Sequence, residues 1–141
     1  MRHLSRAVPL LALSLLATTG CGQRTAVSGT PVIRVSEKDF HIKAPEHVPT
    51  GDVRLRMLNE GPDTHELLVV RLAPKRSLAL RRDGLTVDED AVESSTLGIV
   101  EGYERGTTRD LDVHLTRGRY ILICNMAGHY LGGMHRVVVA S

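Results

Sequence analysis

The stretch Cys124-Asn-Met-Ala-Gly-His129-Tyr-Leu-Gly-Gly-Met134 carries three side chains that can bind a metal, spaced five residues apart. They are a thiol, an imidazole and a thioether. A strand-like run at residues 120–123 precedes the stretch, and a final strand is expected from its last residue onward, at 134–140, which indicates a loop between two β-strands. Three glycines within the stretch allow the loop to bend tightly. The segment therefore predicts a metal site held between two strands.

A complete ligand set needs a second histidine, and His65 can supply it. This residue stands in Asn59-Glu-Gly-Pro-Asp-Thr-His65-Glu66, between apolar runs at 53–58 and 67–70. Two imidazoles, one thiolate and a weak axial thioether form the ligand set of blue-copper electron-transfer centres, because soft sulfur suits Cu(I) and imidazole suits Cu(II). Taken singly, a Met is usually core filling, a free Cys a small buried hydrophobe, and a His a surface or core residue. Their coincidence with the strand and glycine patterns favours the metal site.

These residues resemble the ligands of the cupredoxins, small blue-copper proteins related to plastocyanin, azurin, auracyanin and rusticyanin, and the resemblance covers roughly residues 31–141. It implies an electron carrier in which one type 1 copper is held by His65, Cys124, His129 and Met134. The four-residue gaps on both sides of His129 are similar to those of auracyanin and rusticyanin. Glu66 stands where plastocyanin and azurin have Asn, at a position whose backbone N–H faces the copper thiolate in the family.

Alternation of apolar and polar residues predicts an all-β domain. Period-two patterns indicate half-buried strands at 33–35, 40–42, 53–59 and 111–115. An apolar run at 67–72, broken only by Arg71, indicates a strand covered on both faces. With the strands flanking the ligand loop, these form an antiparallel or mixed β-sandwich, which the resemblance specifies as a Greek-key, cupredoxin-like sandwich or barrel.

The region between residues 73 and 107 interrupts the strand pattern. Thr86-Val-Asp-Glu89 fits a capping box, so we expect a short helical insertion at about 86–95. Residues 98–106 are expected to form a loop.

The N-terminus predicts export. Arg2 and Arg6 precede an apolar run at 7–17, and small residues follow it. This is the pattern of a secretory signal peptide, here residues 1–20. The run is shorter than the roughly 20 residues that span a bilayer, so a membrane anchor made by the signal itself is not expected.

Cys21 follows this segment directly. The sequence Leu-Leu-Ala-Thr-Thr-Gly-Cys21 resembles a bacterial lipobox, so we expect lipidation of Cys21. Residues 21–30 would then be a tether that holds the domain at 31–141 on the outer face of the cell membrane or in the periplasm. The alternative is ordinary cleavage nearby, with Cys21 left as a tail thiol or paired with Cys124.

Charge argues against a nucleic-acid partner. The chain has 18 basic and 16 acidic residues, and residues 1–20 hold two of the basic residues and none of the acidic ones. The exported part is therefore close to neutral, and aromatic residues that could stack on bases are scarce. We expect no nucleic-acid binding, and we expect redox proteins associated with the membrane as partners.

An electron carrier is the expected function, and a copper storage or delivery protein outside the cytoplasm is the alternative. No two histidines are spaced His-x-His, the pattern that multicopper oxidases use, and a His₂CysMet set leaves no open coordination position. We therefore expect neither an enzyme nor a small-molecule substrate. A metal-free structural domain is a third interpretation, which Cys124 and His129 disfavour.

In cupredoxins an apolar rim around the second His is the docking face for redox partners. Here the rim would consist of Pro62, Met126, Ala127, Tyr130 and Leu131. Simple packing of the two loops against each other is the other interpretation of these residues.

Overall fold

Nine short strands follow the apolar patterns of the sequence in the part of the chain that the computed structural model describes, residues 29–74 and 77–141. The elements are β1 (Val32–Lys38), β2 (His41–Lys43), β3 (His47–Val48), β4 (Gly51–Asn59), β5 (His65–Arg71), α1 (Glu89–Val92) with a 3-10 turn (Glu93–Ser95), β6 (Thr96–Tyr103), β7 (Thr108–Leu115), β8 (Gly118–Ile123) and β9 (His135–Ala140). The predicted signal peptide at 1–20, Cys21 and most of the tether lie outside the described residues.

The strands pair into two mixed sheets. The first has the order β2-β1-β4-β7 and the second β3-β9-β8-β5-β6. β1 runs parallel to β4, and β3 runs parallel to β9, whereas the other neighbours are antiparallel. The predicted all-β sandwich is confirmed.

The apolar faces of the two sheets meet in one core. Val35 and Met57 of the first sheet and Leu67 and Leu122 of the second are each at most 2% exposed and pack in one cluster. Burying a side chain of this size stabilises the fold by about 1.5–3 kcal/mol. Two of the predicted metal ligands, Cys124 and Met134, belong to the same cluster, so the candidate site is continuous with the core.

β5 is buried on both faces, as its continuous apolar run predicts. Leu67 and Val69 face the sandwich core, while Leu68 and Val70 face a second cluster on the outer side of the sheet. Val87 and Val92 complete this second cluster. Residues 80–95, called the covering segment below, therefore shield the outer face of the second sheet.

The helix is shorter than the capping box predicts. Residues 86–88 are not helical: Val87 forms a β-bridge with Leu80, and Arg81 N donates to Thr86 O at 2.9 Å. The helix begins only at Glu89, with Asp88 as N-cap and no side-chain capping bond. The predicted capping box at Thr86 is wrong because the bridge with Leu80 already holds this backbone in an extended form.

The loop predicted at 98–106 is also wrong, because most of it is β6. This strand lies at the edge of its sheet and only Tyr103 is fully buried in it. Glycine at 98 makes room for Leu111, whose Cδ1 would lie 3.0 Å from an added Cβ, and glycine at 102 lies close to Thr64 in the same way. Two glycines and a largely exposed edge remove the alternation that marks a strand in the sequence.

Candidate metal centre

The first histidine is positioned by the turn between β4 and β5. Asn59, the fully buried last residue of β4, donates from Nδ2 to the carbonyls of Asp63 and Tyr103, both at 2.8 Å, and its Oδ1 accepts from Gly61 N at 2.9 Å. The turn therefore wraps around the Asn59 amide. His65 follows as the first residue of β5 and is fully buried.

The other candidate ligands lie on the loop between β8 and β9, which closes on itself. Cys124 N donates to Met134 O at 3.1 Å, and Met134 N donates to His129 O at 2.9 Å. Gly128 and Gly133 have φ angles of 81° and 102°, a left-handed conformation that favours glycine. Hydrogen bonds of its own backbone therefore hold the loop in shape.

Three predicted ligand side chains converge in this pocket. Cys124 Sγ lies 3.4 Å from His129 Nδ1 and 3.8 Å from His65 Nδ1. The three possible ligand atoms all lie within 4.8 Å of one another, as close as one metal ion requires. Two imidazoles and a thiol are a donor set that fits copper. The fourth predicted ligand, Met134, is fully buried in the same cluster as Cys124.

The outer nitrogen of each imidazole faces a carboxylate. Asp39 Oδ1 lies 3.2 Å from His65 Nε2, and Asp63 Oδ2 lies 3.9 Å from His129 Nε2. The Asp39–His65 contact is short but does not have the angles of a hydrogen bond. Neither Asp39 Oδ1 nor His65 Nε2 has another hydrogen-bond partner. With both Nδ1 atoms facing the thiol, both Nε2 atoms are left to carry the ring protons toward these carboxylates.

Burial controls the acid–base state of the ligands. It raises the pKa of the Cys124 thiol to about 11, although the backbone N–H groups of Glu66 and Met126 partly oppose the rise. Burial also lowers the pKa of His65, as does the charge of His129, against an opposing effect of Asp39. The metal-free site thus presents a neutral imidazole and a protonated thiol, and a metal must displace the thiol proton.

Two buried glutamates lie near the site. Glu37 is fully buried, neither of its carboxylate oxygens has a hydrogen-bond partner, and burial followed by repulsion from Glu66 raises its pKa to about 8. Burial, Glu89 and Glu101 together raise the pKa of Glu66 to about 7. The backbone N–H of Glu66 faces the thiol, as the resemblance implied.

Asp39, Phe40 and Glu37 lie near the site without having been predicted from the sequence. Asp39 and Phe40 form the turn between β1 and β2, whereas the sequence placed Phe40 at the start of a strand. No local motif marks these residues. Only the pairing of β1 with β4, which sets Glu37 beside Asn59, brings them to the site.

The surface around His129 is partly apolar. Exposed fractions are 9% for His129, 50% for Phe40 and 53% for Leu131. Pro62 and Ala127 of the predicted rim are also exposed, whereas Met126 and Tyr130 are half-buried. The covering segment reaches this rim, because Leu85 O accepts a hydrogen bond from Gly128 N at 3.0 Å.

Two mixed sheets with this loop at one end are the cupredoxin fold. The chain superposes on dithionite-reduced auracyanin from Roseiflexus castenholzii with a TM-score of 0.62 at 17% identity, covering 80% of this chain and 99% of that one. Auracyanin A, a "blue" copper protein from Chloroflexus aurantiacus, gives 0.60 at 16% identity over 80% and 100%. Rusticyanin from Thiobacillus ferrooxidans gives 0.57 at 12% identity over 80% and 79%.

No family model and no curated protein sequence matches the chain. The likeness to solved structures confirms the predicted resemblance at the level of the fold. Within the described residues, no helix is long and apolar enough to cross a membrane.

Proposed function

We propose that this protein is an electron carrier that binds one type 1 copper through His65, Cys124 and His129, with Met134 as the axial ligand. The convergence of three ligand atoms within 4.8 Å in a buried pocket carries this proposal. When bound, copper would supply one-electron cycling between Cu(I) and Cu(II). A pocket whose ligands are fixed by strands and loop hydrogen bonds gives both oxidation states nearly the same geometry, so little must reorganise on electron transfer.

The four proposed ligands have different roles that follow from how deeply each is buried. Cys124 provides the thiolate, stabilised by the backbone N–H groups of Glu66 and Met126. His65 anchors the set inside the sandwich, and His129 connects it to the surface because its ring is the one with exposed area. Met134, fully buried at the end of the loop that begins at Cys124, would supply its thioether as the weakest donor.

Ligand burial favours electron transfer over copper delivery. Both His65 and Cys124 are completely buried, and His129 is 9% exposed. An acceptor for copper must reach these ligands one after another, whereas an electron leaves without any ligand moving. Storage or delivery remains the alternative function. A full set of protein ligands leaves no position for a substrate, so the proposal includes neither an enzyme activity nor a small-molecule substrate.

The decisive experiment is an absorption spectrum with a redox titration of copper-loaded residues 21–141. We expect one copper per chain, intense blue colour in the oxidised state and reversible reduction. Cys124→Ser should abolish the colour, whereas Cys21→Ser, the same change on the other cysteine, should leave it intact. Persistent colour in Cys124→Ser would refute the ligand assignment. Rapid loss of copper to an apo-acceptor during cycling would support delivery instead.

The proposed docking face for a redox protein partner is the rim around His129. Leu131 is 53% exposed and lies between two ligands in the sequence without being one. Leu131→Lys should slow electron exchange with the partner severalfold and leave the copper spectrum nearly unchanged. The self-exchange rate is the second measurement. If neither rate responds, this face is not the electron port.

We further propose that the protein is exported and anchored by a lipid on Cys21. The support is the sequence pattern alone: a charged start, an apolar run and a lipobox-like segment ending at Cys21. Several acyl chains would hold the domain on the membrane far more firmly than one. Cys21→Ala should release the protein or block its processing, and an unmodified Cys21 mass in the membrane fraction would refute lipidation.

A further inference from the structure

The turn between β1 and β2 has an unusual backbone. Phe40 has a φ angle of 61°, the one positive φ of a residue other than glycine in the described part of the chain. A left-handed conformation is rare for a bulky side chain and costs on the order of 1–3 kcal/mol. Core packing does not explain it, because Phe40 is 50% exposed.

The residue before it contacts the inner histidine. Asp39 Oδ1 is buried and lies 3.2 Å from His65 Nε2, although the Asp39 side chain as a whole is 25% exposed. Glycine at 61 covers this pair: an added Cβ would collide with Asp39 Oδ1 and would lie 2.8 Å from His65 Nε2. No side chain fits between the turn and the His65 ring.

Phe40 itself contacts the outer histidine. Its ring centroid lies 5.4 Å from that of His129, in an edge-to-face arrangement with an interplanar angle of 61°. Glycine at 132 again makes the contact possible, because an added Cβ would collide with Phe40 Cδ1 and lie 2.8 Å from Cε1. One strained turn therefore contacts both imidazoles, and each contact is possible only because a glycine, at 61 or 132, lies beside it.

We propose that the Asp39-Phe40 turn is a clamp that positions both histidine ligands. The charge of the Asp39 carboxylate, 3.2 Å from Nε2, favours the ring proton of His65 on that nitrogen, which leaves Nδ1 free to bind the metal and makes the imidazole a stronger donor. Phe40 limits the motion of the His129 ring against the ligand loop. The left-handed backbone at Phe40 is what lets adjacent residues serve two different rings. The clamp rests on the proposed copper function, but its first test does not.

The first test uses the metal-free protein. Nitrogen NMR of the histidine rings should place the proton of His65 on Nε2, and Asp39→Ala should shift it toward Nδ1. Asp52→Ala is the matched control, because Asp52 pairs with His114 at 2.7 Å and lies at the opposite end of β4 from Asn59. A wild-type proton on Nδ1, or no shift in Asp39→Ala, would overturn the role of Asp39 whatever metal the protein binds.

The second test uses the copper-loaded protein. Asp39→Asn keeps the shape of the side chain but removes the charge that favours Cu(II). We expect a loss of about tenfold in Cu(II) affinity relative to Cu(I), which raises the reduction potential by about 59 mV. Asp52→Asn makes the same charge change at the far end of β4 and should leave the potential nearly unchanged. Equal shifts in both variants would show a general charge effect and overturn the clamp.

Phe40 is tested by two substitutions with different backbones. Phe40→Gly removes the ring and the strain, whereas Phe40→Ala removes the ring and keeps a Cβ in the left-handed region. Both should increase the motion of the His129 ring in NMR relaxation of the metal-free protein and weaken copper binding about tenfold or more. Phe40→Gly should have a higher melting temperature than Phe40→Ala, because glycine relieves the backbone strain. An unchanged His129 ring in both variants would overturn the role of Phe40.

Discussion

At the scale of single residues, the candidate ligands come mostly from one loop, whereas the groups that contact their imidazoles come from a distant turn. Cys124, His129 and Met134 share one loop, so their regular spacing in the sequence predicts a metal site. Asp39 reaches His65 only through long-range strand pairing, and its own neighbours in the sequence carry no metal pattern. Three of the four candidate ligands are therefore close together in the sequence, whereas the contacts that would orient the histidines join distant segments.

Met134→Leu tests the axial position. Leucine conserves the volume of the side chain, so the core should tolerate it at a cost below about 1.5 kcal/mol. Copper should stay bound, and the reduction potential should rise, because Cu(II) loses a donor atom that helped to stabilise it. Met57→Leu makes the same change at another completely buried position of the core. An unchanged or lower potential in Met134→Leu would identify Met134 as a core residue only.

Cys124 should release a proton when a metal binds. The pKa of its buried thiol is about 11 in the metal-free protein, so the thiol is protonated at pH 8. Binding requires the thiolate. Adding Zn²⁺, which has no redox chemistry, should release about one proton per ion bound in weakly buffered solution. Cys124→Ser should bind with a much smaller release. Equal release from both proteins would mean that the thiol is not a ligand.

At the scale of elements, the strands with one exposed face were predictable and the covering segment was not. Period-two alternation identified β4 and β7, whose inward residues are apolar. β6 was not predicted, because it is an edge strand with only one fully buried residue and two internal glycines. The capping box at Thr86 failed because the β-bridge uses Thr86 O and Asp88 N, and Asn125 bonds the backbone N and O of Val87. Local helix propensity is overridden where tertiary hydrogen bonds occupy the backbone groups that the start of a helix would use.

Asn125 ties the covering segment to the ligand loop. Its Oδ1 accepts from Val87 N at 2.6 Å, and its Nδ2 donates to Val87 O at 3.1 Å and to Glu89 Oε1 at 2.8 Å. Asn125→Ala leaves the buried Val87 backbone without these partners, so the free energy of unfolding should fall by about 1–3 kcal/mol. Hydrogen exchange at the Val87 amide should become faster.

A contrasting variant shows whether the effect belongs to this link. Thr96→Val removes a single hydrogen bond, from Thr96 Oγ1 to Val92 O, just beyond the C-terminal end of the covering segment. It should cost less stability than Asn125→Ala and leave exchange at Val87 unchanged. If Asn125→Ala changes neither stability nor exchange, the apolar contacts of Val87 and Val92 alone hold the covering segment in place.

At the scale of the whole molecule, both sheets of the sandwich contribute to the candidate site, and a buried carboxyl group beside it should lower the stability of the fold. The first sheet supplies the turn that contacts both histidines, and the second supplies β5 and the ligand loop. Along β1, Val35 and Glu37 point into the same interior. A carboxyl group without a hydrogen-bond partner in that interior should make the stability of the entire fold depend on pH.

The sign of this dependence follows from the pKa of Glu37, which rises from 4.5 to about 8 on folding. Between these values the unfolded chain releases its proton and the folded chain keeps it. The contribution of Glu37 to the free energy of unfolding should therefore be most favourable below about pH 4.5, fall by on the order of a few kcal/mol as the pH rises to about 8, and level off above. Glu66, whose pKa rises to about 7, acts in the same direction.

Glu37→Gln isolates the contribution of Glu37, because the amide has the same shape and cannot ionise. Chemical denaturation of the metal-free protein at pH 5 and pH 8 should show the variant gaining stability over the wild type at pH 8, and gaining much less at pH 5. Glu60→Gln, made at an exposed residue, is the matched control. An equal gain at both pH values would mean that Glu37 ionises alike in the folded and unfolded chains, and that polar contacts, not its charge, limit the stability of this interior.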